Sequence, residues 1–210
     1  MNVYEEIKKC GIIPVVAMDK CADIVPLANA LIKGGLRCIE ITFRTDAAQD
    51  AISMLRQNIP DMIIAAGTVL TTEQVDQAIE AGADFIVSPG SNTDVIKHCL
   101  SRNIDIIPGV MTPSEIERNL QLGIDVMKFF PAEQVGGIDF LKALHGPYRT
   151  VRFMPTGGLN AANVGSYLEQ DYIIACGGSW MVKPSMINNN EWDQITQLAH
   201  EASQIVAELR

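Results

Sequence analysis

Histidine is scarce and unclustered: the 210 residues hold three, His98, His145 and His200, and none stands at metal-ligand spacing. Cysteine gives no framework either. Cys10, Cys21, Cys38, Cys99 and Cys176 are odd in number, scattered and without a CxxC pair, so the chain does not read as a zinc ribbon or a stapled secreted scaffold. They are expected to be reduced, mostly buried thiols. No run of lysine or arginine interrupts a sequence with 16 basic against 25 acidic side chains and a formal charge of -9. That balance lacks the electrostatic footprint of a nucleic-acid binder or of a protein held on an anionic membrane. No stretch stays apolar long enough to span a bilayer, and MNVYEEIKKCGIIPVV places two glutamates ahead of any apolar run, unlike a secretory signal. The expected location is the cytoplasm. Pro/Ser-rich linkers and low-complexity tracts are missing too, so residues 1–210 read as a single domain.

What is present is a repeating unit. With 48% apolar residues the chain can bury a full core. Short runs rich in Val and Ile, at 12–16, 38–42, 62–66, 85–87, 104–107, 126–129, 151–154 and 173–176, alternate with segments of helical period. The helical segments carry start signals. Thr112-Pro113-Ser114-Glu115 offers an N-cap hydroxyl, a proline at the first helical position and a glutamate that can cap in return, and Thr71 with Gln74 repeats the device. Eight strands too apolar to have a wet face, each followed by a helix, predict a parallel sheet sheathed by helices and closed as a (β/α)8 TIM barrel behind an N-terminal helix. An open doubly wound sheet fits less well, because no GxGxxG turn follows the first strand.

In such a barrel, function sits at the carboxyl ends of the strands and phosphate binds the last two loops. Those loops read Pro155-Thr156-Gly157-Gly158-Leu159-Asn160 and Gly177-Gly178-Ser179-Trp180. Paired glycines let a backbone approach an anion closely; one pair could be a plain tight turn, but two on adjacent loops favour phosphate. On the second strand, Glu40, Thr42 and Arg44 alternate onto one side. The two charges there serve either chemistry or a structural ion pair. Lys128, in Ile124-Asp125-Val126-Met127-Lys128-Phe129-Phe130-Pro131, sits on a strand that offers it little water. Burial disfavours the ammonium and leaves the neutral amine that attacks a carbonyl; the other readings are a lysine that snorkels outward or neutralises Glu40. Glu133, Asp84 and Asp105 read as surface or capping carboxylates, and the histidines as helix-face or surface residues.

Together, Glu40-Ile41-Thr42-Phe43-Arg44-Thr45, Ala66-Gly67-Thr68-Val69, Ser88-Pro89-Gly90, Pro108-Gly109-Val110-Met111-Thr112-Pro113, Lys128-Phe129-Phe130-Pro131-Ala132-Glu133, Pro155-Thr156-Gly157-Gly158 and Gly177-Gly178-Ser179-Trp180 resemble the 2-keto-3-deoxy-6-phosphogluconate (KDPG) and 4-hydroxy-2-oxoglutarate (KHG) aldolase family. The resemblance implies a class I aldolase that needs no metal or dissociable cofactor and assembles as a homotrimer. By resemblance, Lys128 forms an iminium with the substrate C2 carbonyl and Glu40 moves protons through a bound water. Arg44 and Thr68 would hold the carboxylate, Pro89 and Phe130 would shape the pocket, and Thr156, Gly157, Gly158, Gly178 and Ser179 would bind the rest of the substrate, with its phosphate on Gly157, Gly158 and Ser179. The products would be pyruvate with glyceraldehyde 3-phosphate, or pyruvate with glyoxylate. Phe43, in place of the more usual leucine, and Met181-Val182-Lys183-Pro184 depart from the family pattern at its periphery. Lys183 is expected to face solvent. Thr156 resembles the gluconate-specific rather than the galactonate-specific enzymes. The rival functions are a phosphate-binding isomerase or epimerase without a covalent intermediate, and a sugar-phosphate binding protein.

Overall fold

The computed structural model describes residues 2–210. The chain opens with helix α1 (Val3–Cys10), where the Asn2 side chain accepts the Tyr4 N–H at 3.1 Å and Gly11, at φ 68°, ends the helix. Glu5 and Glu6 in its first turn and Lys8 and Lys9 in its last suit the helix dipole.

Nine strands follow among the described residues: β1 (Ile12–Val16), β2 (Cys38–Thr42), β3 (Ile63–Gly67), β4 (Phe85–Val87), β5 (Asp105–Ile107), β6 (Gly109–Val110), β7 (Val126–Phe129), β8 (Arg152–Pro155) and β9 (Cys176–Gly178). Every ladder is parallel. Six strands pair in the order β5-β4-β3-β2-β1-β9 and three in the order β6-β7-β8. Between them run α2 (Ile24–Lys33), α3 (Ala48–Asn58), α4 (Thr72–Ala81), α5 (Thr93–Ser101), α6 (Pro113–Gln121), α7 (Gly137–His145), α8 (Val164–Leu168), α9 (Pro184–Asn188) and the closing α10 (Trp192–Leu209).

The pairing therefore departs from the unbroken eight-strand ring the sequence predicts. One break is at Pro108, which has no N–H to give a ladder and separates β5 from β6. Its carbonyl still accepts the Lys128 N–H at 2.9 Å. The other break lies between β8 and β9, which are joined only by single parallel bridges, Phe153 to Ile173 and Thr156 to Gly177. Some boundaries move by a residue: the runs predicted at 62–66 and 151–154 become Ile63–Gly67 and Arg152–Pro155. The last moves further, from 173–176 to Cys176–Gly178, so two glycines read as loop are partly strand.

Alternation sorts the strand residues onto two faces. Ile39 and Ile41, Ile64 and Ala66, Met127 and Phe129 face outward into the core shared with the helices, where Leu27, Leu31, Ile52, Leu55 and Ile195 bury their apolar sides. Ile13, Cys38, Ala65, Phe85, Val87, Val126 and Met154 face inward in a separate cluster, which Val3 and Ile7 of α1 join. The helix thus covers the amino ends of the strands and leaves their carboxyl ends as the open side. Among the described residues no helix is long and apolar enough to cross a membrane.

One expectation is overturned here. Cys10, the last residue of α1, and Cys38, the first of β2, are joined as a disulfide with their Cα atoms 6.8 Å apart, whereas all five cysteines were expected to be reduced. Packing α1 beneath the strands brings two positions 28 residues apart to bonding distance. Cys99 and Cys176 are buried free thiols, and Cys21 is a half-buried one.

Candidate active site

Glu40, Thr42 and Lys128 are set by alternation on β2 and β7, so all three point inward, above the apolar layer that Cys38 and Val126 supply. Lys128 Nζ donates to Glu40 Oε1 at 3.3 Å, with the two side chains 4% and 1% exposed. Burial of one such ion alone costs several kcal/mol, on the order of what pairing recovers; this pair meets that condition. Glu40 Oε2 has no hydrogen-bond partner among the described residues and is free to take a proton or a water. Gly67 has no side chain because Glu40 lies over it: a Cβ there would come 2.7 Å from the carboxyl carbon. The Phe130 ring covers the ammonium, 5.3 Å from Nζ to its centroid.

Of the options left open at Glu40, the structure selects pairing with Lys128, not with Arg44. Arg44 lies past the end of β2, is exposed, and gives its Nε–H to Thr68 Oγ1 at 3.3 Å. Thr68 holds φ 56°, a left-handed conformation that a β-branched residue adopts only under constraint. Thr42 turns its hydroxyl to the Val16 carbonyl at 2.9 Å and is structural.

A cavity of about 200 Å³ is lined by Arg44, Phe130, Thr156, Gly157, Gly158, Gly178 and Ser179 among others; Phe130, whose ring covers Lys128, connects it to the buried pair. Gly157 and Gly158 take φ 104° and 78°, which a non-glycine residue would enter only with strain. Thr156 is buried with its Oγ1 unpartnered, and its side chain occupies the space that a Cβ on Gly177 would need. Gly178 has the same reason to be glycine, with the Trp180 ring lying where its Cβ would go. Pro89 is set apart from this wall: it touches β6 through Gly109, which pairs with Lys128 in register. Lys183 is exposed, as expected. A wider groove of about 800 Å³ lies by the amino ends of the strands, between α1, α8 and α10, and holds none of the candidate site residues.

A contact beside the glycine turn escapes a sequence reading, although Glu133 itself is exposed as the sequence suggests. The Glu133 N–H donates to the Gly157 carbonyl at 3.1 Å, and the Glu133 carboxylate accepts the Tyr167 hydroxyl. Burial first, and then this bond, push the Tyr167 phenol well above its ordinary range. Nothing in Val164-Gly165-Ser166-Tyr167-Leu168 distinguishes that tyrosine from an ordinary helix-core residue. Cys176, the nearest strand thiol, is pushed up to about 12 by burial and does not ionise as a nucleophile would.

Against known proteins, the family model described as KDPG and KHG aldolase matches residues 3–198. A 2-dehydro-3-deoxy-phosphogluconate aldolase of Haemophilus influenzae is 50% identical over 98% of this chain and 97% of its own. Among solved structures, the 2-keto-3-deoxy-6-phosphogluconate aldolase of Zymomonas mobilis with 3-phosphoglycerate superposes with a TM-score of 0.89 at 38% identity, covering 98% of this chain and 97% of that one. The KDPG aldolase of Legionella pneumophila, with pyruvate captured as a covalent carbinolamine, superposes with a TM-score of 0.90 at 38% identity over 94% of this chain and 96% of that one. With its model matched along nearly the whole length, the chain belongs to the KDPG and KHG aldolase family.

Proposed function

We propose that this chain is a class I aldolase that cleaves 2-keto-3-deoxy-6-phosphogluconate to pyruvate and glyceraldehyde 3-phosphate, and 4-hydroxy-2-oxoglutarate to pyruvate and glyoxylate. The buried contact between Lys128 and Glu40, with Phe130 between the lysine and the cavity of Arg44 and the glycine turn, carries this reading.

The geometry suggests a sequence of steps. Lys128 hands a proton to Glu40 at 3.3 Å and attacks the C2 carbonyl as the neutral amine. Glu40 returns that proton to the carbinolamine hydroxyl, which leaves as water, giving the iminium and restoring the carboxylate. Glu40, through a water, removes the proton of the C4 hydroxyl; the C3–C4 bonding pair flows into the iminium, leaving an enamine while the C4 fragment departs as the aldehyde. Glu40 then delivers a proton to C3, and hydrolysis frees pyruvate and regenerates the amine. Arg44 presents a planar fork to the pyruvate carboxylate and, with Thr68, fixes its orientation. Gly157, Gly158, Gly178 and Ser179 line the end of the cavity where the phosphate would lie. The captured carbinolamine in the Legionella enzyme supports the first step. The unpartnered Thr156 hydroxyl on the wall can bond a hydroxyl of the substrate chain, and the choice of the gluconate over the galactonate substrate rests on the resemblance of Thr156 to the gluconate-type enzymes.

Within this reading the two sheets are one (β/α)8 barrel in one domain, with β5 and β6 a single strand bent at Pro108 and the last seam held by two bridges. The functional form is a cytoplasmic homotrimer, and Leu70, Met111 and Phe140, exposed apolar side chains, are candidates for its contact surface. Borohydride reduction in the presence of pyruvate, followed by peptide mass spectrometry, tests the mechanism. A stable pyruvate adduct on Lys128 is the expected result; no adduct on any lysine overturns the aldolase reading in favour of an isomerase or epimerase.

A further inference from the structure

A carboxylate lies directly beneath the turn proposed to bind phosphate. Glu133 follows Ala132, whose N–H donates to the Thr156 carbonyl at 2.8 Å, and its own N–H reaches the Gly157 carbonyl at 3.1 Å. Its Cβ sits only 2.6 Å from where a Cβ on Gly158 would stand, so the turn rests on this residue. A carboxylate this close to the turn would repel a bound phosphate if it faced it, even though Glu133 itself is exposed. Yet Glu133 does not reach the wall of the 200 Å³ cavity. Its carboxylate is turned the other way, onto the hydroxyl of Tyr167, a side chain 1% exposed on α8. Close by, a Cβ on Gly137 would come within 3.2 Å of Glu133 Oε1 and 3.4 Å of the Tyr167 hydroxyl, so that glycine leaves room for the pair.

We infer that Glu133 and Tyr167 are a positioning pair for the phosphate end of the site. The backbone of Glu133 seats the glycine turn, and the Tyr167 hydroxyl keeps its carboxylate facing away from the incoming dianion. This rests on the phosphate assignment above and deepens it.

Kinetics on KDPG and on its unphosphorylated counterpart, 2-keto-3-deoxygluconate, test it. Tyr167→Phe releases the carboxylate, and KM for KDPG should rise about ten-fold, well beyond the change in KM for the unphosphorylated substrate or in kcat for either. Adding Glu133→Gln to that variant removes the charge and should restore most of the lost KM. A double variant as impaired as the single one, or equal effects on both substrates, would reduce the pair to packing and overturn the inference. Glu133→Gln alone keeps an oxygen for the Tyr167 hydroxyl, so it serves even where Tyr167→Phe does not fold. It should bind inorganic phosphate, read as competitive inhibition, at least as tightly as the unsubstituted enzyme; weaker binding overturns the inference. Failure of the unsubstituted enzyme to prefer KDPG over 2-keto-3-deoxygluconate would instead count against the phosphate assignment itself.

Discussion

Gly67 and Glu40 share one space: the carboxyl carbon of Glu40 lies 2.7 Å from the point where a side chain at 67 would begin. The two residues sit on neighbouring strands, where β2 pairs with β3 so that Thr42 stands opposite Gly67. The glycine is therefore part of how the carboxylate reaches Lys128 across the interior. Gly67→Ala should push Glu40 off its 3.3 Å contact with Lys128. A displacement of about 1 Å in such a group can cost about 10²-fold in rate. The expected outcome is a fall in kcat of that order with the circular dichroism spectrum retained; unchanged turnover would mean that the carboxylate has another seat.

Removing either partner of the buried pair should separate chemistry from stability. Lys128→Ala abolishes turnover and strands Glu40 without its cation, so it should also lose about 3–5 kcal/mol of stability. Glu40→Gln removes the base but leaves the amine. It should still form the pyruvate imine, trapped by borohydride, while exchange of the pyruvate methyl protons slows by about 10²–10⁴-fold. Normal methyl exchange in Glu40→Gln, followed by NMR in deuterium oxide, would remove Glu40 from the proton-transfer role.

What could be read without coordinates was whatever broke a local pattern. A lysine and a glutamate in apolar strand runs, and paired glycines after two strands, are anomalies visible in one dimension. Their relations were not: Glu40 and Lys128 are 88 residues apart, and only strand order puts them in contact. Gly177 and Gly178 carried a loop signal that misled, since they are strand residues kept small by Thr156 and Trp180. The run read at 104–107 stops at Pro108, and the short strand Gly109–Val110 that resumes beyond it gave no signal of its own. Tyr167 looked like any buried aromatic, because its role depends on where α8 delivers its hydroxyl.

The start of α6 ties stability to pH. Partial burial pushes the Glu115 carboxyl upward, but bonds from the Met111 N–H at 2.9 Å and from the Thr112 hydroxyl and N–H at 2.8 Å outweigh it and hold the group below its usual range. A carboxylate lowered by folding stabilises above its unfolded pKa, near 4.3 for glutamate, roughly, and loses that contribution as pH falls through the folded value. Glu115→Ala should cost about 1 kcal/mol at neutral pH, screening at this half-buried site included. The gap between the two proteins should close as denaturation curves are taken from pH 6 down toward pH 3. A gap that stays constant would assign the loss to contacts that do not depend on the charge of the carboxylate instead.

The link between Cys10 and Cys38 predicts that stability depends on redox state. It fastens α1, whose Val3 and Ile7 cover the amino ends of the strands, to the first residue of β2, two positions before Glu40. Cross-linking residues 28 apart removes chain entropy from the unfolded state, a stabilisation of about 2–4 kcal/mol. For a chain of this length that corresponds to a fall in Tm on the order of 10 °C when the link is reduced. Thermal melts with and without a thiol reductant should show that difference, and Cys10→Ser should melt at the lower temperature under both conditions. The unreduced, denatured protein should titrate three thiols, those of Cys21, Cys99 and Cys176. Titration of all five cysteines, with no effect of reductant on the melt, would mean that the two sulfurs lie side by side as free thiols.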